Sequence, residues 1–277
     1  MENQFTFAES LFLEGDYFRA ITEYKRFMFL YPQEKLAEKA SFKIAESYYK
    51  GKKWKESIES VDCFTAKYAN SFLTAEALYI KGLSEKELKY YNNALTTFHE
   101  LIKKRSLMHT DKAIFQTAIV LMHMEEWQEA RRMFMIVPNT SDLYQSSKVY
   151  LKGLDHLDQI PLKSPFIAGT LATLLPGSGH LYLKHYSEAV ASLLLNGAFI
   201  WAAVELFQHN NNVAGTIVSF FEVGWYSGNV YSAISSAHKY NMMSKKNFIQ
   251  NIQEKTIISF SIDPKQSRTQ LMLTLNF

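Results

Sequence analysis

The sequence predicts an all-α protein: a solenoid of helical repeats, then an apolar transmembrane helical hairpin, with a short C-terminal β-hairpin. Three observations carry this. Residue types recur in columns at spacings of 37, 37 and 36 through the first half of the chain. No Lys or Arg occurs in the 54 positions between Lys184 and Lys239. Apolar residues alternate with polar ones near the C-terminus. The boundaries fall at 1–160 for four repeats plus a capping helix, 161–245 for the hairpin module and 246–277 for the tail.

The repeats come first. Tyr17, Trp54, Tyr91 and Trp127 make one column, and Ala20, Ser57, Ala94 and Ala130 a second, of small residues. Tyr24, Val61, Phe98 and Phe134 follow, then Phe27, Phe64, Leu101 and Val137. Upstream, Ala8, Ala45, Gly82 and Ala118 form another small column. A fixed period in this range marks stacked supersecondary units. Each unit reads as two amphipathic helices around a turn such as Glu14-Gly15-Asp16 or Lys50-Gly51-Lys52. Small residues let the two backbones approach, and the larger columns fill the space between them. One pair cannot bury its apolar face alone, so the units must stack.

These residues resemble the tetratricopeptide repeat (TPR) family over roughly residues 5–158. The first unit, G-D-Y-F-R-A-I-T-E-Y-K-R-F at 15–27 with Tyr31-Pro32, matches closely, whereas Ala69 and Ser106 stand where Pro32 does. A helix at about 143–158, with Gly153 continuing the small column, begins a fifth unit; no second helix of a repeat is expected after it, so it reads as a C-terminal cap.

A further column, Phe5, Phe42, Tyr79 and Phe115, lies where the resemblance implies a concave groove that takes peptides or partner helices. Phe12, Tyr49 and Met122 sit one helical turn on. Two readings stand: aromatic anchors for a protein partner, or rings packed between neighbouring helices.

The hairpin module follows. Helical runs at Ser187–His209 and Val213–Tyr240 flank the loop Asn210-Asn211-Asn212. Only Glu188, Glu205 and Glu222 are acidic between Lys184 and Lys239. A bilayer span needs about 20 mainly apolar residues. The first helix meets this, while the second carries Glu222, Asn229 and several serines. Gly224-x-x-x-Gly228 offers a small-residue face for close helix approach, within the hairpin or in self-association. Antiparallel pairing places Asn196 near Tyr226 and Glu222 near Ile200, facing inward. The alternative is a soluble hairpin packed on other chains. Before it, Pro176-Gly177-Ser178-Gly179-His180-Leu181-Tyr182 resembles the P-G-x-G-x-x-Y turn of TM2-like two-helix bacterial membrane modules, which implies membrane placement over roughly 164–240. Helix 166–175 is too short to span, Pro176 ends it, and Gly177 and Gly179 permit positive φ.

The tail segments 256–262 and 268–277 alternate apolar and polar residues around Asp263-Pro264 and read as two strands. The terminal Phe277 is similar to the end of outer-membrane barrels, but one hairpin cannot close a barrel.

Charge bounds function. Residues 1–160 hold 22 basic and 22 acidic residues, and the remainder 8 and 5, which separates a soluble part from an apolar one and gives a nucleic-acid role no support. The single cysteine, Cys63, allows no internal disulfide. The N-terminus lacks a basic n-region and a small-residue cleavage site, so no secretory signal is expected. Lys163, Lys184, Lys239, Lys245 and Lys246 flank one end of the hairpin, which favours the inner membrane with the repeats in the cytoplasm, periplasmic repeats being the alternative. No P-loop, G-x-S-x-G, H-E-x-x-H or C-x-x-C is present. His180 and His185 are five residues apart, which does not suit a helical metal pair. No catalytic residue, metal or cofactor is expected. The expected function is a bacterial membrane-anchored scaffold or adaptor that binds a protein partner and contacts the lipid bilayer, with a subunit of an envelope assembly or transport complex as the alternative.

Overall fold

The computed structural model describes residues 2–104 and 109–262. Among the described residues no β-strand is present. The chain divides into two compact units, residues 1–155 with 252–277 and residues 156–251.

In the first unit, helix pairs α1 (Glu2–Leu13) with α2 (Tyr17–Leu30), α3 (Lys35–Lys50) with α4 (Trp54–Lys67), α5 (Thr74–Glu87) with α6 (Tyr91–Lys103), and α7 (Thr110–His123) with α8 (Trp127–Met135) follow one another, and α9 (Tyr144–Leu154) comes next. The columns are the core. Ala8, Ala20, Tyr24, Phe27, Ala45, Val61, Phe64, Ala94, Phe98, Leu101, Ala118, Ala130 and Phe134 are all fully buried. At Gly82 a Cβ would come within 2.5 Å of the Phe98 ring, so the third pair sits too close for any side chain there.

The turns repeat as well. Gly15, Lys52, Lys89 and Glu125 all take positive φ, between 58° and 83°. Each N–H bonds three residues back, and the next N–H bonds five back: Lys52 N to Tyr49 O (3.0 Å) and Lys53 N to Tyr48 O (2.9 Å). This is the Schellman cap, which uses otherwise unpaired helix-end carbonyls. The left-handed residue of the second turn is therefore Lys52, in register with Gly15, whereas Gly51 has φ −76°.

The fifth unit corrects the expectation of a lone cap. The last helix, α13 (Asn212–Ile262), is 51 residues long. Its end packs on α9: a Cβ at Gly153 would meet Ile252 at 2.5 Å, and the Tyr150 hydroxyl shares a hydrogen bond with the Thr256 side chain. Gly153 continues the small column and Tyr150 the aromatic one. Gly153–Ile252 thus reproduces Gly82–Phe98, and the order of contacts makes the pair antiparallel. The end of α13 is the second helix of a fifth repeat, separated in sequence from the first by the whole of the second unit. The expected strand at 256–262 is accordingly helical. Ile252 and Thr256 are buried one turn apart, and Thr256 Oγ1 donates to Ile252 O at 2.8 Å; period-four burial overrides the apparent alternation. The expected strand at 268–277 lies outside the described residues. The boundary expected at residue 246 lies within α13 and gives way to one at 251–252.

The second unit holds α10 (Pro165–Leu174), α11 (Ser178–Tyr182), α12 (Tyr186–Gln208) and the first part of α13. Ser164 caps α10, its Oγ accepting from Ile167 N. Gly177 has φ 86°, and a Cβ on it would strike the Ala189 carbonyl. Gly179 is needed for space rather than for φ: it is helical and lies against Ala168, Ala172 and Ala233. Asn241 clamps the entry to the unit, accepting from Lys163 N at 2.7 Å and donating to Lys163 O at 2.8 Å.

Candidate functional site

The repeats present their first helices, α1, α3, α5 and α7, as a series. Most of the groove rings expected there are used in packing. Phe5 meets Phe27 edge-on at 5.5 Å, Phe42 meets Phe64 at 6.0 Å, Tyr79 meets Phe98 at 6.1 Å, and Phe115 meets both Phe134 (5.4 Å) and Tyr150 (5.5 Å). Phe5, Phe42, Phe115 and Met122 are buried, and Phe12, Tyr49 and Tyr79 are partly buried. The column is therefore held by its own second helices. Burial pushes the Tyr49 hydroxyl up to about 12 and raises Tyr79 further.

The polar groups of this series were missed in the sequence. Lys39 reaches Glu9 at 3.7 Å and lies 5.1 Å from the Phe5 ring centre. Lys43 pairs with Glu46 at 2.7 Å and covers the Phe12 ring at 4.1 Å. Burial, reinforced by Glu46, raises the Glu76 carboxyl, with Lys43 and Lys112 opposing. Lys86 donates to Gln116 at 3.2 Å, and burial lowers its ammonium, with Glu87 opposing. A column would have exposed the trend: four residues past each ring stand Glu9, Glu46, Leu83 and Ile119. The series turns from charged to apolar along the array, so it offers salt-linked polar contacts at its first two repeats and a buried apolar stripe at its fourth.

The second unit has its polarity reversed. Its interior is mostly small or polar, with Leu183 and Ile249 the large apolar exceptions: Ala168, Ala172, His180, Ala189, Ser192, Asn196, Glu222, Ala233 and Ala237 are buried. Its large apolar side chains face outward: Phe166, Leu174, Leu194, Trp201, Phe220, Phe221, Val223 and Tyr231 are exposed. α12 has 23 residues and a mean hydropathy of 1.8 over its most apolar stretch, of which 17% is buried, and it alone among the described helices is long and apolar enough to cross a bilayer. The expectation of two spanning helices is thus met by one on composition.

The pairing of α12 with α13 is antiparallel: Gly215 lies under the Phe207 ring, and Phe199 and Trp225 have ring centres 6.5 Å apart. Asn196 and Glu222 are interior, as their polarity requires. Asn196 Nδ2 donates to Ser192 O at 2.5 Å, while its Oδ1 and both Glu222 oxygens have no hydrogen-bond partner among the described residues. The Tyr226 hydroxyl donates to Thr173 O at 2.9 Å. Among the described residues, a Cβ at Gly224 or Gly228 would meet nothing within 4 Å, so neither packs closely on α12. With Phe220, Phe221, Val223, Trp225 and Asn229 they line an open groove of about 630 Å³.

Paired antiparallel helices, conserved spacing of the small and aromatic columns within the chain, and a shared turn geometry decide the fold of the first unit. It is a TPR-type helical repeat. Residues 1–119 match the model of the YfiO family, described as an outer membrane lipoprotein. Among solved structures, a tetratricopeptide repeat protein from Parabacteroides merdae ATCC 43184 is similar at 13% identity and a TM-score of 0.47, over 98% of this chain and 94% of that one. No curated protein matches.

Proposed function

We propose that this chain is a membrane-anchored TPR scaffold or adaptor that holds a protein partner at a bacterial membrane. The single observation that carries the reading is the reversed polarity of the second unit. Water favours large apolar side chains inside; a unit that buries alanines, Asn196 and Glu222 while exposing Leu194, Trp201 and Phe221 suits a hydrocarbon surround.

The split fifth repeat adds a parity argument. α9 and the end of α13 pair with each other, so the chain enters and leaves the second unit on one side of the bilayer. This supports an even number of crossings. If α12 crosses, the first part of α13 crosses back, its Glu222 and Asn229 shielded by packing. Intramembrane polar groups of this kind are costly unless a neighbour meets them.

The basic flanks favour cytoplasmic repeats. A specific observation favours a second reading, a subunit of an envelope assembly complex with periplasmic repeats: the match of residues 1–119 to a family described as an outer membrane lipoprotein. Cys63 distinguishes them, because it is the only cysteine, is exposed, and lies in the second repeat. A maleimide that cannot cross the inner membrane should leave Cys63 unlabelled in osmotically opened cells and label it after detergent. Labelling before detergent would overturn the cytoplasmic orientation. Recovery of the full chain in the soluble fraction without detergent would overturn the anchor itself.

A further inference from the structure

Three elements of the second unit are fastened together at one level. Lys163, just before α10, has its backbone held by Asn241 of α13 through bonds of 2.7 and 2.8 Å. The Tyr182 hydroxyl, at the end of α11, accepts from Ser164 N at 3.1 Å. Ala168, Leu183 and Ala237 form a small core there, with Tyr182 packed on it. Each of these contacts also fixes a lysine at this level. Lys163 adjoins Ser164, Lys184 follows Leu183, and Lys239 stands two residues past Ala237. The Lys163 ammonium lies 4.5 Å from the centre of the Tyr182 ring, which draws it towards the end of α11. Among the described residues no carboxylate pairs with any of the three lysines. Glu188, four residues after Lys184, takes the Ser187 hydroxyl at 2.9 Å. The same elements carry large apolar side chains beside this charge, and these are exposed: Phe166 on α10, Leu181 on α11 and Tyr186 at the start of α12.

We propose that Lys163, Lys184 and Lys239 form a site for the phosphate of an anionic phospholipid, whose acyl chains lie along Phe166, Leu181 and the neighbouring apolar side chains. The inference rests on the reading of the second unit as embedded in a bilayer. Uncompensated charge alone would suit any anion. Charge that adjoins exposed apolar surface suits an amphiphile, and a phospholipid supplies both halves. A free phosphate would leave Phe166 and Leu181 bare, and an acidic polypeptide would meet the lysines alone. Tyr182 and Tyr186 are the residue type that settles at headgroup level. Basic pockets between membrane helices select anionic headgroups, and each basic residue near an anionic surface is worth about fivefold in affinity. Three lysines together are therefore worth on the order of a hundredfold.

The probe is phosphatidylglycerol with a fluorophore on one acyl chain. It is titrated with the full chain in micelles of an uncharged detergent at low ionic strength, and binding is read by anisotropy. Unlabelled phosphatidylglycerol should displace it, and phosphatidylcholine with the same acyl chains should need at least about tenfold more. Lys163→Gln, Lys184→Gln and Lys239→Gln together should weaken binding on the order of a hundredfold. Lys53→Gln, Lys55→Gln and Lys103→Gln remove the same charge from exposed positions of the repeats and should leave binding unchanged. A milder variant guards against misfolding: Lys184 has φ 64°, which Asn tolerates, so Lys184→Asn should keep the turn and weaken binding about fivefold. No binding of the probe, equal displacement by phosphatidylcholine, or unchanged binding in the triple variant would each overturn the site. Displacement by inorganic phosphate or poly-glutamate at the concentrations at which phosphatidylglycerol acts would overturn the lipid as its occupant. Carbonate extraction reports separately on the anchor: a chain that the bilayer retains but that does not prefer phosphatidylglycerol refutes this site and leaves the anchor standing.

Discussion

Leu194→Arg separates a membrane-embedded second unit from a soluble one, because the two make opposite predictions. Leu194 is the ninth residue of the 23 in α12 and is 65% exposed. At 1.5 Å per residue the helix is about 34 Å long, and Leu194 lies about 12 Å from its start, close to its middle. The hydrocarbon core is about 30 Å thick, so the side chain falls near mid-depth. Arg at the centre of a span costs about 2.5–3.5 kcal/mol, where Leu contributes about −0.3 to −0.6, a difference of about 3–4 kcal/mol. That is on the order of 10²- to 10³-fold in insertion. In water, an exposed Leu replaced by Arg changes stability by no more than about 0.5 kcal/mol. The control is Leu30→Arg in the first repeat, where the leucine is also 52% exposed. Carbonate extraction of membranes should release Leu194→Arg and retain Leu30→Arg and the parent protein. Complete retention of Leu194→Arg, with both variants folded by circular dichroism, would refute the reasoning.

Three further outcomes are expected in the repeats. Glu85 is buried and accepts from Thr97 Oγ1 at 2.7 Å; burial raises its carboxyl, with the Thr97 bond and Lys81 opposing and Asp62 assisting. A carboxyl raised on folding binds more protons in the native state, so its contribution falls as pH rises through the folded value. Glu85→Gln should therefore raise the denaturant midpoint at neutral pH and leave it nearly unchanged below the usual glutamate range. Phe115→Ala removes a ring packed against Phe134 and Tyr150 and should cost about 3–5 kcal/mol in chemical unfolding; an unchanged midpoint with lost partner binding would return Phe115 to the groove. Lys89→Gly relieves a positive φ of 62° and should stabilise by about 1 kcal/mol in the same measurement, whereas destabilisation would mean that the Lys89 side chain contributes more than the backbone strain costs.

The repeat array was legible because its physics is periodic. A close helix approach demands a small residue at the same place in every unit, and Ala8, Ala45, Gly82 and Ala118 record it. The groove was less legible for the same reason: Phe5 and Phe115 recur because they pack, and recurrence alone does not distinguish packing from binding. The charged series escaped notice because Glu9 and Glu46 give way to Leu83 and Ile119, so no single residue type marks the position. In the second unit the apolar run of α12 was plain, and so was the need for Asn196 and Glu222 to face inward. Gly224 and Gly228 were legible only as a small face, since a sequence shows that a face is small without showing what lies on it. The second helix of the fifth repeat was invisible to any local reading. It follows α9 only after residues 156–251, and Ile252 and Thr256 are not the residues the columns anticipate.

That interruption sets an order of events on the ribosome. Residues 1–155 can fold four complete repeats as they emerge, but they end on an unfinished edge, with Tyr150, Gly153 and Leu154 open to water. The missing helix is translated only after the entire second unit, so the edge stays bare until residues 252–256 emerge. Closure of the last repeat then reports, in the repeats themselves, that the second unit has been made and the chain has returned.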